Sequence, residues 1–213
     1  MFVSEKKQVD KAHYSFVRYM QKDRWASFWH QLDELFRLNP NRALEIGPGP
    51  GVFKLVANQF GVTVETLDLD SELNPDCVGS VLSLPFPENT YDVVCAFQML
   101  EHVPYAESLL AFQEMVRVSR KNVIISLPDA KIVWPFRVHI PKIGEYKLLF
   151  PRPVLQESLH YFNGEHYWEI NKRGFNLKRI IKDFGSICRI IKTYRVFDNP
   201  YHRFFVFEKA KTF

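Results

Sequence analysis

A chain of 213 residues, 46% hydrophobic and 15% aromatic, carries enough apolar mass for one core, or one core plus a small insertion, and is too apolar for disorder. Its 28 basic and 24 acidic residues leave a formal charge of +4, with no block of like charge long enough to serve as a nucleic-acid tail. Cys77, Cys95 and Cys188 are scattered, and no CxxC, HxxxH or EF-hand spacing occurs, so neither a disulfide frame nor a metal is expected. A reducing cytoplasm is the expected compartment. No apolar run approaches the ~20 residues that span a bilayer, and the first residues lack the apolar stretch of a secretion signal, which predicts a soluble protein.

In chain order, residues 8–22 read as a first helix. Residues 24–38 read as a second, with Trp25, Trp29, Leu32 and Phe36 at helical spacing and Phe28 and Leu35 widening the stripe. Asn39, Pro40 and Asn41 end it. Ala43–Ile46 is a short strand running into a glycine loop, followed by a helix over 51–59. Residues 62–67 form a β-rich strand stopping at Asp68. This is one βαβ unit of an open parallel sheet. A strand over 91–96, a helix over 106–118 with Leu109, Phe112, Met115 and Val116 inward, and a strand over 122–127 continue the alternation. The rhythm then breaks. Residues 129–168, rich in Pro, His and aromatics, read as an insertion without a long period. A helix returns over 176–184, and strands over 187–196 and 203–208 flank a turn at Asp198-Asn199-Pro200.

The loop itself, LEIGPGPG at 44–51, poses the chemical question. Glycines permit a sharp turn and close approach of a ligand to bare backbone. The dinucleotide fingerprint GxGxxG is not met, because the spacing is GxGxG at Gly47, Gly49 and Gly51. Pro48 and Pro50 delete two donors, Glu45 would repel a phosphate, and no Lys-Ser or Lys-Thr follows. A ligand of opposite sign suits the loop: a nucleoside with a cationic amino-acid tail. Asp68, 17 residues beyond Gly51, stands where an acid can accept from ribose hydroxyls. S-adenosylmethionine has these parts.

Residues 42–128 resemble the class I S-adenosylmethionine-dependent methyltransferases, close to the type 11 domains. LEIGPGPG (44–51), VETLDLD (64–70), LPFPENTYDVVCAFQMLEHVP (84–104) and EMVRVSRKNVIISLP (114–128) carry the resemblance. It implies an α/β, doubly wound, mainly parallel seven-stranded sheet with a C-terminal antiparallel hairpin and an insertion after the fifth strand. It also implies a single methyltransferase domain over 1–213, with N-terminal helices in 1–40 and a substrate-side insertion or lid at 129–168. Glu45, Gly47, Pro48, Gly49 and Gly51 would hold the methionine part, and Asp68 with Leu69 the ribose. Phe97, Gln98 and Met99 at the end of the fourth strand would line the reacting pocket, with His102 beside it. Many relatives carry Asp where this chain has Ser80. The Ser80 hydroxyl, or the backbone near Val81, would then receive the adenine. Asp70 can cap the turn after the second strand, which leaves Asp68 for the ribose.

HYFNGEHYWEI, 160–170, supports two readings. It is an aromatic cluster that pins the insertion to the sheet with His166 bonded inside, or a substrate pocket with Glu165 or His166 as base and His160 nearby. Tyr201 and His202 pose the same alternative, with a hairpin turn as the simpler account. The basic residues of 172–192 read first as the wet face of a helix and an edge strand and second as an RNA stripe. The expected activity is methyl transfer from S-adenosylmethionine, with S-adenosylhomocysteine as product, to a small-molecule acceptor: a saccharide, a lipid precursor or a secondary metabolite. The fourth strand ends AFQML rather than in an Asn-Pro-Pro-Tyr turn, which argues against exocyclic base amines and nucleic acid. The alternatives are a non-catalytic S-adenosylmethionine-binding module, an RNA methyltransferase and a nicotinamide-dependent oxidoreductase. Oligomeric state is open.

Overall fold

The computed structural model describes residues 11–153 and 158–210. After a 3-10 turn at Lys11–Tyr14 come a short helix α1 (Phe16–Tyr19) and the long helix α2 (Lys22–Leu38). The single helix expected over 8–22 is thus two short pieces, and residues 8–10 lie outside the described residues. Asn39 closes α2 in the left-handed region (φ 48°). Asp92 accepts the Asn41 and Arg42 N–H groups at 3.0 and 3.2 Å, tying the chain to the sheet before β1 (Arg42–Ile46).

The sheet is completed by β2 (Thr63–Asp68), β3 (Cys77–Val78), β4 (Tyr91–Phe97), β5 (Ser119–Pro128), β8 (Arg189–Arg195) and β9 (His202–Glu208). Its order is β3-β2-β1-β4-β5-β9-β8, parallel through β5 and antiparallel at β9 and β8. This is the expected doubly wound fold with its C-terminal antiparallel hairpin. Helix α3 (Val52–Gln59) joins α2 on one face, and α4 (Tyr105–Val118) with α5 (Leu177–Ile187) covers the other. All seven residues of β4 are buried, so this strand must be apolar on both faces. The chain winds away from β1 in both directions. The crevice at such a reversal, beyond the strands' C-terminal ends, is where open α/β sheets take ligands.

One expectation is corrected. The inward face of α2 is Ser27, Phe28, Gln31, Glu34 and Leu35, while Trp25 and Trp29 are exposed, Trp29 by 59%. The helix is rotated because Glu34 pairs with Lys192 and Ser27 accepts from Asn199 (3.1 Å), which satisfies these two inward groups, while the Gln31 Oε1 has no partner among the described residues. The insertion expected after the fifth strand is there, and its first part has regular structure. It folds as a separate two-stranded ribbon, β6 (Val133–Ile140) against β7 (Gly144–Pro151).

Candidate active site

The glycine loop leaves β1 at the crevice. Gly47, Gly49 and Gly51 all have positive φ (70°, 52° and 72°), and the Gly47 N–H bonds the Leu67 carbonyl at 2.9 Å. A Cβ on Gly47 would stand 2.8 Å from Met99 Cγ, so the loop packs against the segment leaving β4. Glu45 is 3% exposed. Burial raises its carboxyl pKa well above the ordinary range, opposed by the Lys54 charge and backbone N–H, and Oε2 has no hydrogen-bond partner among the described residues. Asp68 is half-buried at the end of β2 and its Oδ1 accepts the Asp70 N–H at 2.8 Å. Asp70 accepts from Glu72 N (3.0 Å) as the cap of the next turn, as its position suggested. A cavity of about 310 Å³ opens here between Tyr14, Pro48–Gly51, Lys54, Thr66 and Leu73.

Tyr14 and Tyr19 were not singled out by the sequence. Tyr14 lies over Gly49, 3.0 Å from where a Cβ would be, and stacks edge-on with Tyr19 at 4.9 Å. Burial raises both phenol pKa values. Asp68 and Asp70 add to the rise at Tyr14, and Glu45 and Glu101 at Tyr19. The N-terminal segment therefore crosses the crevice between the glycine side and a second cluster.

That cluster forms where the segment 158–170 returns to β4. Tyr167 N donates to the Glu101 carbonyl (2.8 Å), and Trp168, fully buried, donates its indole N–H to the Val103 carbonyl (3.2 Å). These bonds bring His166 to Glu101 and His102. Glu101 is 0% exposed, and neither carboxyl oxygen has a partner among the described residues. Burial pushes its pKa up to about 7, with His166 pulling the other way. His166 Nδ1 meets Glu169 Oε1 at 2.9 Å, and the Tyr201 hydroxyl donates to the same oxygen at 2.7 Å. Burial disfavours the imidazolium, but Glu169's bond and the charges of Glu101 and Glu165 outweigh it, so the His166 pKa is raised. Glu169 is the candidate that sequence reading missed. Its signal was the i, i+3 spacing from His166.

Not every expected residue belongs to this cluster through its side chain. Glu165 offers its carbonyl to His102 Nδ1 (2.9 Å), and His160 Nε2 meets the His166 carbonyl (2.8 Å). His102 is half-buried, desolvation of its ring and then His166 lower its pKa to about 4, and the Gln98 backbone also contacts the ring. Phe97 packs on Phe53 and Phe204 in the α2–α3 core, so only its backbone faces the crevice. Gln98 adopts φ 53° and donates to Ser126 Oγ (3.2 Å). Leu69 is exposed, Val81 is in the core, and the Ser80 hydroxyl accepts the Leu82 N–H at 3.1 Å. His202 is buried, with its pKa lowered to about 3 by burial and then by Arg24. Of the basic residues in 172–192, Arg179 on α5 pairs with Asp183, and Arg189 and Lys192 on the edge strand β8 pair with Glu208 and Glu34.

Glu101, His102 and His166 each place a donor atom within 4.8 Å of the others, a set that could hold a metal ion. Spacing rules did not flag it because the ligands come from two distant segments. An ion there would compete with the Glu165 and Gln98 backbone for His102. No helix among the described residues is long and apolar enough to cross a membrane.

Comparison with known proteins adds a family. A family model described as "Methyltransferase domain" matches residues 16–184. No curated protein matches. Among solved structures, a protein from Pyrococcus horikoshii OT3 superposes with a TM-score of 0.62 at 16% identity, covering 95% of this chain and 100% of that one. The 1,6-didemethyltoxoflavin-N1-methyltransferase of Burkholderia thailandensis, solved with its substrate and S-adenosylhomocysteine, gives 0.60 at 13% identity, with 94% and 85% covered. The magnesium protoporphyrin IX methyltransferase of Synechocystis PCC 6803, with bound S-adenosylhomocysteine, gives 0.55 at 15% identity, with 96% and 90% covered.

Proposed function

Since this chain belongs to the methyltransferase domain family, we propose that it transfers a methyl group from S-adenosylmethionine to a small-molecule acceptor that presents a hydroxyl or amine. One observation carries the reading. The crevice past β1 holds two acidic groups on the glycine side, Glu45 and Asp68, and a buried carboxyl–imidazole cluster, Glu101 with His166, on the other. The first pair suits a cationic nucleoside and the second a polar acceptor. The Burkholderia and Synechocystis enzymes act on small heterocyclic molecules, which supports an acceptor of that size.

The residues fit the cofactor. Gly47, Gly49 and Gly51 give bare backbone at positive φ, and Glu45 keeps one buried oxygen unpaired beside them. Asp68 would take the ribose hydroxyls, and the backbone at Leu69, Ser80, Val81 and Gln98 the remainder. S-adenosylmethionine, when bound, supplies a methyl group already activated by its sulfonium. The chain's own residues must then align the acceptor, exclude water and, for a hydroxyl, remove a proton. His166 is the base: Glu169 and Tyr201 hold its Nδ1 side, so its Nε2 takes the acceptor proton. Glu165 presents its backbone to His102 and is the weaker candidate of the two.

Thermal shift tests the cofactor first. S-adenosylmethionine and S-adenosylhomocysteine should each stabilise the chain, by about 2.7 kcal/mol at a hundred times Kd, and NAD should not. Asp68→Ala should remove the shift. Stabilisation by NAD alone would return the crevice to an oxidoreductase reading. Labelled methyl transfer into panels of saccharides, lipid precursors and secondary metabolites then separates an enzyme from a silent binder and identifies the acceptor. His166→Ala should slow that transfer while leaving the shift in place.

A further inference from the structure

The β6–β7 ribbon sorts its side chains onto two unlike faces. Residues directly opposite on antiparallel strands point to the same side. The register pairs Trp134 with Phe150, Phe136 with Leu148, and Val138 with Tyr146. These six side chains share one face, and Ile140 extends it. Each is between 37% and 57% exposed. The opposite face turns to the body of the domain. Arg137 reaches Asp198 at 2.5 Å and lies 5.3 Å from the centre of the Phe197 ring, and Lys147 lies 5.7 Å from the same ring. No charged residue interrupts the outer face, which makes it a continuous apolar patch rather than the scattered apolar residues any surface carries.

Charge identifies what can cover it. Residues 131–152 contain Lys131, Arg137, Lys142, Lys147 and Arg152 against one acid, Glu145. Arg137 and Lys147 pair with Glu145 and Asp198 on the inner face, which leaves Lys131, Lys142 and Arg152 as the surplus. Lys142 is exposed at the turn beside Ile143, which is 66% exposed, while Lys131 and Arg152 flank the other end. Cations therefore stand at both ends of the apolar face. Two copies meeting face to face would bring these surpluses together and repel. A lipid surface of opposite sign accepts both features: the rings enter the boundary between headgroups and acyl chains, and the lysines meet the phosphates. Trp134 and Tyr146 have the amphipathic rings that favour this depth.

We propose that the outer face of the β6–β7 ribbon docks the protein on an anionic membrane surface. The test uses the full chain with vesicles of phosphatidylcholine containing phosphatidylglycerol, and with vesicles of phosphatidylcholine alone. Co-sedimentation should be at least tenfold stronger on the anionic vesicles and should weaken with salt. Trp134→Ser combined with Phe150→Ser should reduce it tenfold or more. Lys142→Glu, at the turn and outside the crevice, should reduce it roughly fivefold or more. Both variants should keep the parent's thermal response to S-adenosylhomocysteine, so a loss of vesicle binding would not be a loss of fold. If the parent gives no such response, the cofactor reading fails while the vesicle result stands on its own. The docking proposal is overturned if the folded chain ignores both vesicle types, or if the paired substitution leaves binding unchanged. It is also overturned by a dimer in sedimentation that the paired substitution abolishes, which would assign the face to a second copy.

Discussion

Glu101→Gln should stabilise the protein in a pH-dependent way. Glu101 is fully buried, both its oxygens lack partners among the described residues, and burial lifts its pKa from 4.5 to about 7. The folded state therefore keeps a proton that the unfolded chain releases. Below pH 4.5 both states are protonated and the group costs folding nothing through ionisation. Between 4.5 and 7 the unfolded chain gains from ionising while the folded one does not, and above 7 the full penalty applies. With 1.36 kcal/mol per pKa unit, the penalty above pH 7 is about 3 kcal/mol. Glutamine keeps the shape without the titration, and its own unpaired amide adds an offset that does not change with pH. Urea unfolding of both proteins from pH 4.5 to 8.5 reads the effect, because groups away from Glu101 cancel in the difference and only His166, whose pKa the Glu101 charge helps raise, shifts with it. The variant should gain about 3 kcal/mol on the parent across that range. A difference flat in pH, or one that favours the parent as pH rises, would mean that His166 stays protonated beside Glu101 and offsets its burial. The same substitution should lower methyl transfer if Glu101 receives the acceptor, since the oxygens that lack a protein donor are those a substrate donor would reach.

Two further outcomes follow from the packing and from the histidine pair. Gly47→Ala places a Cβ 2.8 Å from Met99 Cγ at φ +70°, so it should cost about 2–4 kcal/mol in a urea melt, and Met99→Ala added to it should recover the part that is overlap. Glu169→Gln removes the charge that helps raise the His166 pKa, so the rising limb of kcat/KM, where His166 must be neutral to accept a proton, should move to lower pH and kcat should fall. A limb that stays in place would detach Glu169 from the base.

The parts of the fold that lie close in sequence were legible. Strands β1, β2, β4 and β5 are apolar-rich runs, and Gly47, Asp68 and Pro128 mark the ends of β1, β2 and β5, so their order and alternation could be read directly. The ribbon β6–β7 was missed although Trp134, Phe136, Val138 and Ile140 alternate along it. Its apolar positions face outward, and Pro135 interrupts the strand, tolerable only because the ribbon has open edges. The rotation of α2 was missed for a related reason. Its inward Gln31 and Glu34 look like surface residues until Lys192, more than 150 positions away, comes to pair with Glu34.

The candidate site divides along the same line. The glycine loop and Asp68 are local, and their spacing was visible. The acceptor-side cluster joins Glu101 to residues more than 60 positions later, and Tyr14 meets Gly49 across 35 positions, so no spacing could reveal either. Nor could sequence give the state of Glu45. A cationic ligand calls for an anion at the lip of the loop, yet burial raises the carboxyl pKa of Glu45 in the free protein well above the usual range. The two statements agree once binding is included. A cation brought beside Glu45 favours the ionised form, so binding must expel the proton, and affinity for a cationic nucleoside must rise with pH until that carboxyl has titrated. A phosphate ligand would demand the reverse, because it would bind best while Glu45 stays neutral.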